Sequence, residues 1–209
     1  MIETLFAISG GVSALSFGAG GKVVYNINDY VKLTDKEVQW FQDNMFDIKS
    51  QNRPDLERGM LLYYLCKKYK VKKALDIGTA GFYTARSMAH SGAKVDTIDI
   101  IGEMPEIPYE NINFILGDST KIVPTLRDYD IVFIDGSHSY EDVKLDIQNC
   151  KGKCKIIVCH DYGNINDITR AVDEELSDFD LILEDRMWKG APYENGIDRG
   201  GNKIDYGVA

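Results

Sequence analysis

The chain has 209 residues, of which 44% are hydrophobic and 27% charged, and these proportions exclude a mainly disordered or fibrous protein. Its 33 acidic and 24 basic residues give a formal net charge of −9, so its field repels polyanions and we expect no nucleic-acid partner. Four cysteines, at positions 66, 150, 154 and 159, are too few and too unevenly spaced for a disulfide framework, so we expect free thiols and a cytoplasmic protein.

The first 21 residues are rich in small side chains and carry no charge after Glu3. They lack a positively charged start, and two glycines interrupt their apolar run, so they fit neither an export signal nor a membrane span. We expect an arm or hairpin that lies on the domain or on a second subunit, as in a homodimer. The chain is then divided into two parts. Residues 1–53 form an arm and helix, which are a candidate lid or dimer contact, and residues 54–209 form one main domain.

Two helices are predicted after this arm. The first covers residues 34–46, where Thr34 and Glu37 have the spacing of a capping box. The second covers residues 54–70, with a proline at its first position and lysines gathered at its negative end. The apolar stripe expected on the second helix consists of Leu56, Met60 and Tyr64.

From residue 72 onward, short apolar runs alternate with helical periods. The predicted strands are 72–78, 94–100, 112–116, 129–135, 154–160 and 179–185. The predicted helices between them are 82–90, 119–126, 139–150 and 166–176. Regular alternation implies right-handed crossovers and a parallel sheet covered on both faces, which is a doubly wound α/β fold. A loop replaces the helix between the second and third strands, and residues 203–209 form a last edge strand or a frayed tail.

The turn after the first of these strands reads LDIGTAGFYTA and is a candidate ligand site, since open α/β sheets bind ligands at the carboxyl ends of their strands. Gly78, Ala80 and Gly81 leave room for backbone amides to approach a ligand. Asp99 follows Gly78 by 21 residues, the distance at which an acid reaches a ribose hydroxyl pair. The alternative is a structural turn, with Asp99 a solvated strand end. A pyrophosphate would lie badly beside Asp76, so a cationic nucleoside ligand fits better.

Acidic and imidazole side chains follow the fourth and fifth strands. Asp135 and His138 lie after the fourth, where Ser139 is the expected N-cap of the next helix, and His160 and Asp161 lie after the fifth. We expect these four side chains to meet on the ligand-binding edge. The alternatives are a turn cap for Asp135 and a neutral, backbone-bonded histidine at position 160. A zinc site with the neighbouring cysteines is not expected, because adjacent strand residues point to opposite faces.

The segments ALDIGTAG, TIDI, LGDST, YDIVFIDGSHSYEDVKLDI and IIVCHDYG resemble class I S-adenosylmethionine-dependent methyltransferases. Over residues 54–185 the chain is most similar to the small O-methyltransferases of methyltransferase family 24. The resemblance implies a seven-stranded, mostly parallel Rossmann-like sheet with an N-terminal helical extension. It implies that Asp99 holds the ribose of the cofactor and that Asp118 and Ser119 hold the adenine. The cofactor-binding residues that it implies are Asp76, Gly78, Thr79, Ala80, Gly81, Asp99, Asp118, Ser119 and Asp135.

The same resemblance implies transfer of a methyl group to a hydroxyl of a small molecule or sugar. Because a neutral hydroxyl is a poor nucleophile, a base or a cation must stabilise the oxyanion. The implied catalytic residues are Asp135, His138 and His160, with His138 as general base. The implied ligands of a magnesium or other divalent ion are Asp135, Asp161 and His160. Two alternatives stay open at this point, a dinucleotide-dependent oxidoreductase and a cofactor-binding module without catalysis. We expect no membrane partner under any of these three hypotheses.

Overall fold

The fold was analysed on a computed structural model. It describes residues 4–10, 23–26, 30–44, 54–101, 109–162, 165–176 and 181–185. The strands are β1 (Thr4–Gly10), β2 (Val23–Asn26), β3 (Lys73–Ile77), β4 (Lys94–Asp99), β5 (Ile112–Leu116), β6 (Ile131–Ile134), β7 (Ile156–Cys159) and β8 (Leu181–Asp185). The helices are α1 (Asp35–Asn44), α2 (Pro54–Lys68), α3 (Tyr83–His90), α4 (Ser119–Ile122), α5 (Tyr140–Cys150) and α6 (Asn166–Glu175), and a 3-10 turn at Val123–Thr125 follows α4.

All described strands join one parallel sheet in the order β2-β8-β1-β7-β6-β3-β4-β5. The six strands predicted from residue 72 to residue 185 are confirmed as β3 to β8, and the doubly wound α/β class is confirmed with them. The expected count of seven is wrong, because the described sheet has eight strands. The strand or tail expected at residues 203–209 lies outside the described residues.

The additional strands come from the N-terminal arm. β1 pairs in parallel with β7 on one side and with β8 on the other, while β2 pairs with the far side of β8. Both edges of β1 are thus occupied, so the hairpin alternative for residues 1–21 is wrong and the arm alternative remains. The run of small residues carries no strand periodicity, and the pairing becomes visible only when β7 and β8 are present as its neighbours.

Side chains of the central strands alternate between two buried cores, one on each face of the sheet. Along β6, Ile131 and Phe133 belong to the core that includes α2 and α3, while Val132 and Ile134 belong to the core that includes α5 and α6. Along β7 the same alternation assigns Cys159 to the second core, and the His160 ring lies 6.3 Å from that of Phe133 in the first. Cys159 and His160 therefore lie on opposite faces, as the argument against a zinc site requires.

Helix α1 packs on the outside of the first core. The capping box of α1 is confirmed, since Thr34 N donates to Glu37 Oε2 at 2.8 Å and Glu37 N to Thr34 Oγ1 at 3.4 Å. Trp40 stacks on the His90 ring at 3.4 Å, which holds α1 at the last turn of α3. A lid or dimer role for residues 1–53 stays a prediction.

The apolar stripe predicted on α2 is not the most deeply buried side of the helix. Among the side chains of this helix that the structure describes, Leu61, Leu62 and Leu65 are completely buried, whereas Met60 and Tyr64 are only partly buried, and the side chain of Leu56 lies outside the described residues. Gly59 is buried on the same helix, and a Cβ at that position would lie 2.5 Å from Ser87 Oγ of α3. The helix is therefore rotated towards α3, and a glycine permits the close approach.

The expectation of free thiols is confirmed, because all four cysteines are free and buried and burial raises the pKa of each thiol. Among the described helices, none combines the length and the apolar character needed to cross a bilayer.

Candidate functional site

The turn between β3 and α3 has a strained backbone. Gly78, Ala80 and Phe82 have φ values of 96°, 39° and 62°, all in the left-handed region. Glycine adopts this region freely, while alanine and phenylalanine do so at a cost. A Cβ on Gly78 would lie 2.0 Å from the carbonyl oxygen of Asp135, so only glycine fits there. The loops after β3 and β6 therefore touch, and Gly81 lies within the same turn.

Asp99 closes this turn from the end of β4. Its Oδ2 accepts a hydrogen bond from the amide of Ala80 at 3.0 Å, and its Oδ1 accepts one from Ile101 N at 3.0 Å. Each carboxylate oxygen keeps acceptor capacity beyond one such bond. The half-buried carboxylate thus fits the chemistry of two ribose hydroxyls, and its role as ribose contact stays a prediction.

Asp76 lies beneath the turn and not on its surface. The side chain is 0% exposed, and its Oδ2 accepts a 2.8 Å hydrogen bond from Thr97 Oγ1. Thr97 also shares a 2.6 Å hydrogen bond with Thr79, a predicted cofactor residue that is itself buried. Burial raises the pKa of Asp76 to about 7, so the carboxyl is only partly ionised at neutral pH. The repulsion between Asp76 and a pyrophosphate is therefore weaker than the sequence suggested. Its Oδ1 is a buried acceptor that finds no partner among the described residues, which fits a ligand carrying a hydrogen-bond donor or a positive charge.

The two residues predicted to hold the adenine already have partners. Asp118 is the N-cap of α4, where its Oδ1 accepts from Thr120 N at 3.0 Å and its Oδ2 lies 2.7 Å from Lys121 Nζ. Ser119 Oγ donates to Oδ2 of Asp146 at 3.0 Å. Burial raises the pKa of the Asp146 carboxyl to about 7. Contacts of Asp118 and Ser119 with an adenine stay a prediction.

Asp135, at the end of β6, is held by two cationic groups. Its Oδ2 accepts from Arg58 Nη1 at 2.9 Å, and its Oδ1 lies 3.0 Å from His160 Nδ1. Burial by itself would raise the pKa of Asp135, but His160 and Arg58 outweigh burial and hold that pKa below its usual range. Asp135 is therefore no simple turn cap, and Arg58 is a site residue that the sequence reasoning missed.

His160 bridges the two strand ends. Its Nδ1 lies 3.0 Å from Asp161 Oδ2 as well as 3.0 Å from Asp135 Oδ1. Burial lowers the pKa of His160, but the attraction of Asp135 exceeds that effect and the net result is a pKa of about 9. His160 is thus a cation at neutral pH and not the neutral, backbone-bonded histidine of the alternative. Asp161 adopts a left-handed φ of 55°, which brings its side chain to this bridge.

His138 approaches the same carboxylate from the loop before α5. Its Nε2 lies 3.5 Å from Asp161 Oδ2, longer than a good hydrogen bond but within the range of an ion pair. Ser139 caps α5 as predicted, and its Oγ accepts from the amide of Asp142 at 3.3 Å. The cap fixes the residue next to His138, and the imidazole is about one-third exposed.

Asp135, His138 and Asp161 could together hold a metal ion by their spacing, since one ligand atom from each lies within 4.8 Å of the others. His138 thus takes the position in the triad that the sequence assigned to His160. The spacing suits a divalent ion, but the charges do not, because Arg58 and His160 already lie against the carboxylates. The protonated imidazole of His160, the histidine that the sequence offered as a ligand, has no lone pair for a metal. With these positive charges in place, the residues present do not fit a divalent ion.

A family model described as a methyltransferase domain, methyltransferase family 24, matches residues 58–162, which is half of the chain. A search of curated proteins found no match.

Three solved structures of methyltransferases are among those similar to this chain. The O-methyltransferase TomG from Streptomyces achromogenes, in complex with SAM, is 16% identical over 70% of this chain and 80% of its own, with a TM-score of 0.49. An O-methyltransferase from Bacillus cereus in complex with SAH is 15% identical over 73% and 84%, with a TM-score of 0.49. SAH-bound PaMTH1 from Podospora anserina is 14% identical over 61% of this chain, with a TM-score of 0.40, and the chain spans only 60% of its length.

Proposed function

This chain belongs to methyltransferase family 24, and from that premise we propose that it transfers a methyl group from S-adenosylmethionine to a hydroxyl of a small molecule or sugar. When bound, S-adenosylmethionine supplies a methyl group on a positively charged sulfur. Asp76, Asp99 and the turn of Gly78 to Gly81 would hold it, with Asp118 and Ser119 at its adenine. The buried, free thiols support the further proposal that the protein works in the cytoplasm.

One observation carries this proposal, which is the contact between the turn after β3 and the loop after β6. The backbone of Gly78 lies so close to Asp135 that a single Cβ would overlap its carbonyl oxygen. His138 and Asp161 lie beside Asp135, within 4.8 Å by their ligand atoms. A molecule held against the turn would therefore be next to a carboxylate-supported imidazole, and closeness of this kind supplies much of the rate of a displacement reaction.

The residues then divide the reaction between them. His138 removes the proton of the acceptor hydroxyl at Nδ1, since its Nε2 faces Asp161. With S-adenosylmethionine bound, the acceptor oxygen would form its bond to the methyl carbon as the sulfur–carbon bond breaks, and the electron pair of that bond would stay on sulfur. Asp161 stabilises the imidazolium that results, and the ion pairs of Asp135 hold the loop in place. The positive charge thus moves from sulfur to His138, and total charge is conserved.

Two measurements test the proposal on the full chain. Calorimetric titration should show binding of S-adenosylmethionine and S-adenosylhomocysteine, followed by an acceptor screen that detects methyl transfer. In His138→Gln we expect cofactor binding to persist and kcat to fall by about 100-fold or more, because the general base is lost. His90→Gln is the matched control, since His90 stacks on Trp40 at the far end of α3. Binding of a nicotinamide dinucleotide without binding of S-adenosylmethionine would contradict the proposal and favour an oxidoreductase.

A further inference from the structure

Among the described residues of the site, Arg58 is the one that comes from a helix on the face of the sheet. It lies near the start of α2 and reaches Asp135, which is 77 residues later in the chain. The two side chains are only 13% and 18% exposed, so their 2.9 Å ion pair is largely shielded from water. A shielded pair of this kind keeps its electrostatic strength, whereas surface pairs are weakened by solvent and salt.

The position of Arg58 is set by close packing. Gly59, the next residue, brings α2 so near to α3 that a Cβ would lie 2.5 Å from Ser87 Oγ. Leu61, Leu62 and Leu65 follow on the buried side of the same helix. Because α2 is closely packed from the residue after the arginine onward, the guanidinium is held at Asp135 by the fold.

A divalent ion would have to compete with this guanidinium. Asp135 uses Oδ2 for Arg58 and Oδ1 for His160, so both of its oxygens are engaged before any metal binds. An ion held between Asp135, His138 and Asp161 would lie close to a permanent positive charge at low solvent exposure. Like charges at such distances repel strongly away from bulk water.

We propose that Arg58 supplies, at the cluster of Asp135, His138 and Asp161, the positive charge that a divalent ion supplies in metal-dependent transferases, so that this site works without a metal. The proposal rests on the proposed function for its catalytic meaning. Its physical content is independent of that function, because it states that the guanidinium excludes divalent ions from the cluster. Arg58 is accordingly a positioning residue, which acts on the reaction through Asp135.

A titration of the chain with Mn²⁺, monitored by the electron paramagnetic resonance signal of the free ion, tests whether Arg58 excludes divalent ions. We expect no stoichiometric Mn²⁺ site in the unmodified protein. In Arg58→Gln the affinity for Mn²⁺ should rise by about tenfold or more as the competing charge is lost. Adding Asp161→Asn to that variant should abolish the new site. Arg58→Lys keeps the charge and should resemble the unmodified protein.

Arg170→Gln is the matched control, because it removes one positive charge from an exposed arginine of α6. It should leave both Mn²⁺ binding and methyl transfer unchanged. In the unmodified protein, exhaustive chelation should leave methyl transfer unchanged, whereas in Arg58→Gln the residual activity should respond to added Mn²⁺. Circular dichroism checks that each variant is folded.

The outcomes separate this proposal from the function on which it rests. A stoichiometric Mn²⁺ site in the unmodified protein that Asp161→Asn removes would overturn the role of Arg58, and so would loss of activity on chelation. A folded Arg58→Gln that gains no Mn²⁺ site would also overturn it. Failure of the unmodified protein to bind S-adenosylmethionine would instead overturn the proposed function, and the Mn²⁺ results would still decide whether Arg58 excludes metals.

Discussion

Asp76 and Asp135 lie at the ends of neighbouring parallel strands, both with little exposure, yet their electrostatic states are opposite. Asp76 has only hydroxyl partners such as Thr97, and burial raises its pKa to about 7. Asp135 has His160 and Arg58, which overcome its burial and lower its pKa. Depth therefore does not decide the charge of a buried carboxyl, and the presence of a cationic neighbour does. At this edge of the sheet, Asp76 can therefore still accept a positively charged partner, whereas Asp135 already has one.

The substitution with the largest expected effect is Gly78→Ala, which acts where the two regions meet. Its Cβ would overlap the backbone of Asp135, and the residue has a left-handed φ of 96°. We expect a loss of about 4 kcal/mol or more in the free energy of unfolding, measured by urea denaturation. Gly92→Ala is the control, since Gly92 has a similar φ of 94° but no atom within 4 Å of its Cβ. Equal losses in both variants would mean that backbone strain alone, and not contact between the loops, is responsible.

Asp76→Asn should give the next largest effect, with a pH dependence of definite sign. Because the folded pKa of about 7 exceeds the ordinary 3.8, the carboxyl stabilises the fold fully below pH 3.8, and that stability is lost as pH rises through 7. The asparagine variant should therefore gain about 3 kcal/mol of stability relative to the unmodified protein between pH 5 and pH 8. Urea denaturation at pH 5 and pH 8 measures this. A difference that does not change with pH would show that Asp76 is ionised at both.

Asp135→Asn should behave in the opposite way. Its lowered pKa means that the ionised carboxyl contributes stability above pH 3.8, which is lost as pH falls below that value. We expect the variant to be destabilised by about 2 kcal/mol at pH 7 and by less at pH 3. The pKa of His160 should fall from about 9, since Asp135 is the main group that raises it, and NMR titration of the imidazoles follows this change. A His160 pKa that stays near 9 would assign its charge to Asp161 instead.

Ser139→Ala should have the smallest effect, a loss of about 1 kcal/mol from removal of the N-cap of α5. Because Ser139 follows His138, we also expect kcat to fall several-fold while cofactor affinity is kept. Thr34→Ala removes the cap of α1 at a similar cost and should leave kcat unchanged. A Ser139 variant with unchanged kcat would mean that the cap does not position the imidazole. Urea denaturation and initial rates separate the two effects.

Periodicity in the sequence was sufficient to predict strands β3 to β8 and the helices that cover them, since each buries its own apolar pattern. The convergence of Asp135, His160 and Asp161 was predictable for the same reason, because residues that end neighbouring parallel strands share one edge. The helix predicted at residues 119–126 is instead a short helix followed by a 3-10 turn, because Pro124 interrupts it.

The remaining features depend on contacts between distant parts of the chain. β1 has no periodic pattern of its own, and its pairing depends on β7 and β8. Arg58 lies one turn before Leu61 and Leu62 on α2, so it continues the buried side of the helix. A charged residue in that position signals a buried partner, but the sequence does not say which carboxylate it meets. The complete burial of Asp76 could not be predicted either. The alternation of strand residues indicates the face of the sheet on which a side chain lies, but not which other residues pack over it.

The insertion of β1 between β7 and β8 has a consequence for how the protein reaches its native state. A segment from the start of the sequence must wait for two strands from its last third before it acquires hydrogen-bond partners on either side. Pairings between such distant segments form slowly, since a long loop has to close first. During synthesis on the ribosome, that half of the sheet would be completed only after residue 185 has emerged, and until then β1 would keep an unpaired edge on the side that β8 later covers, which is the kind of edge through which chains aggregate.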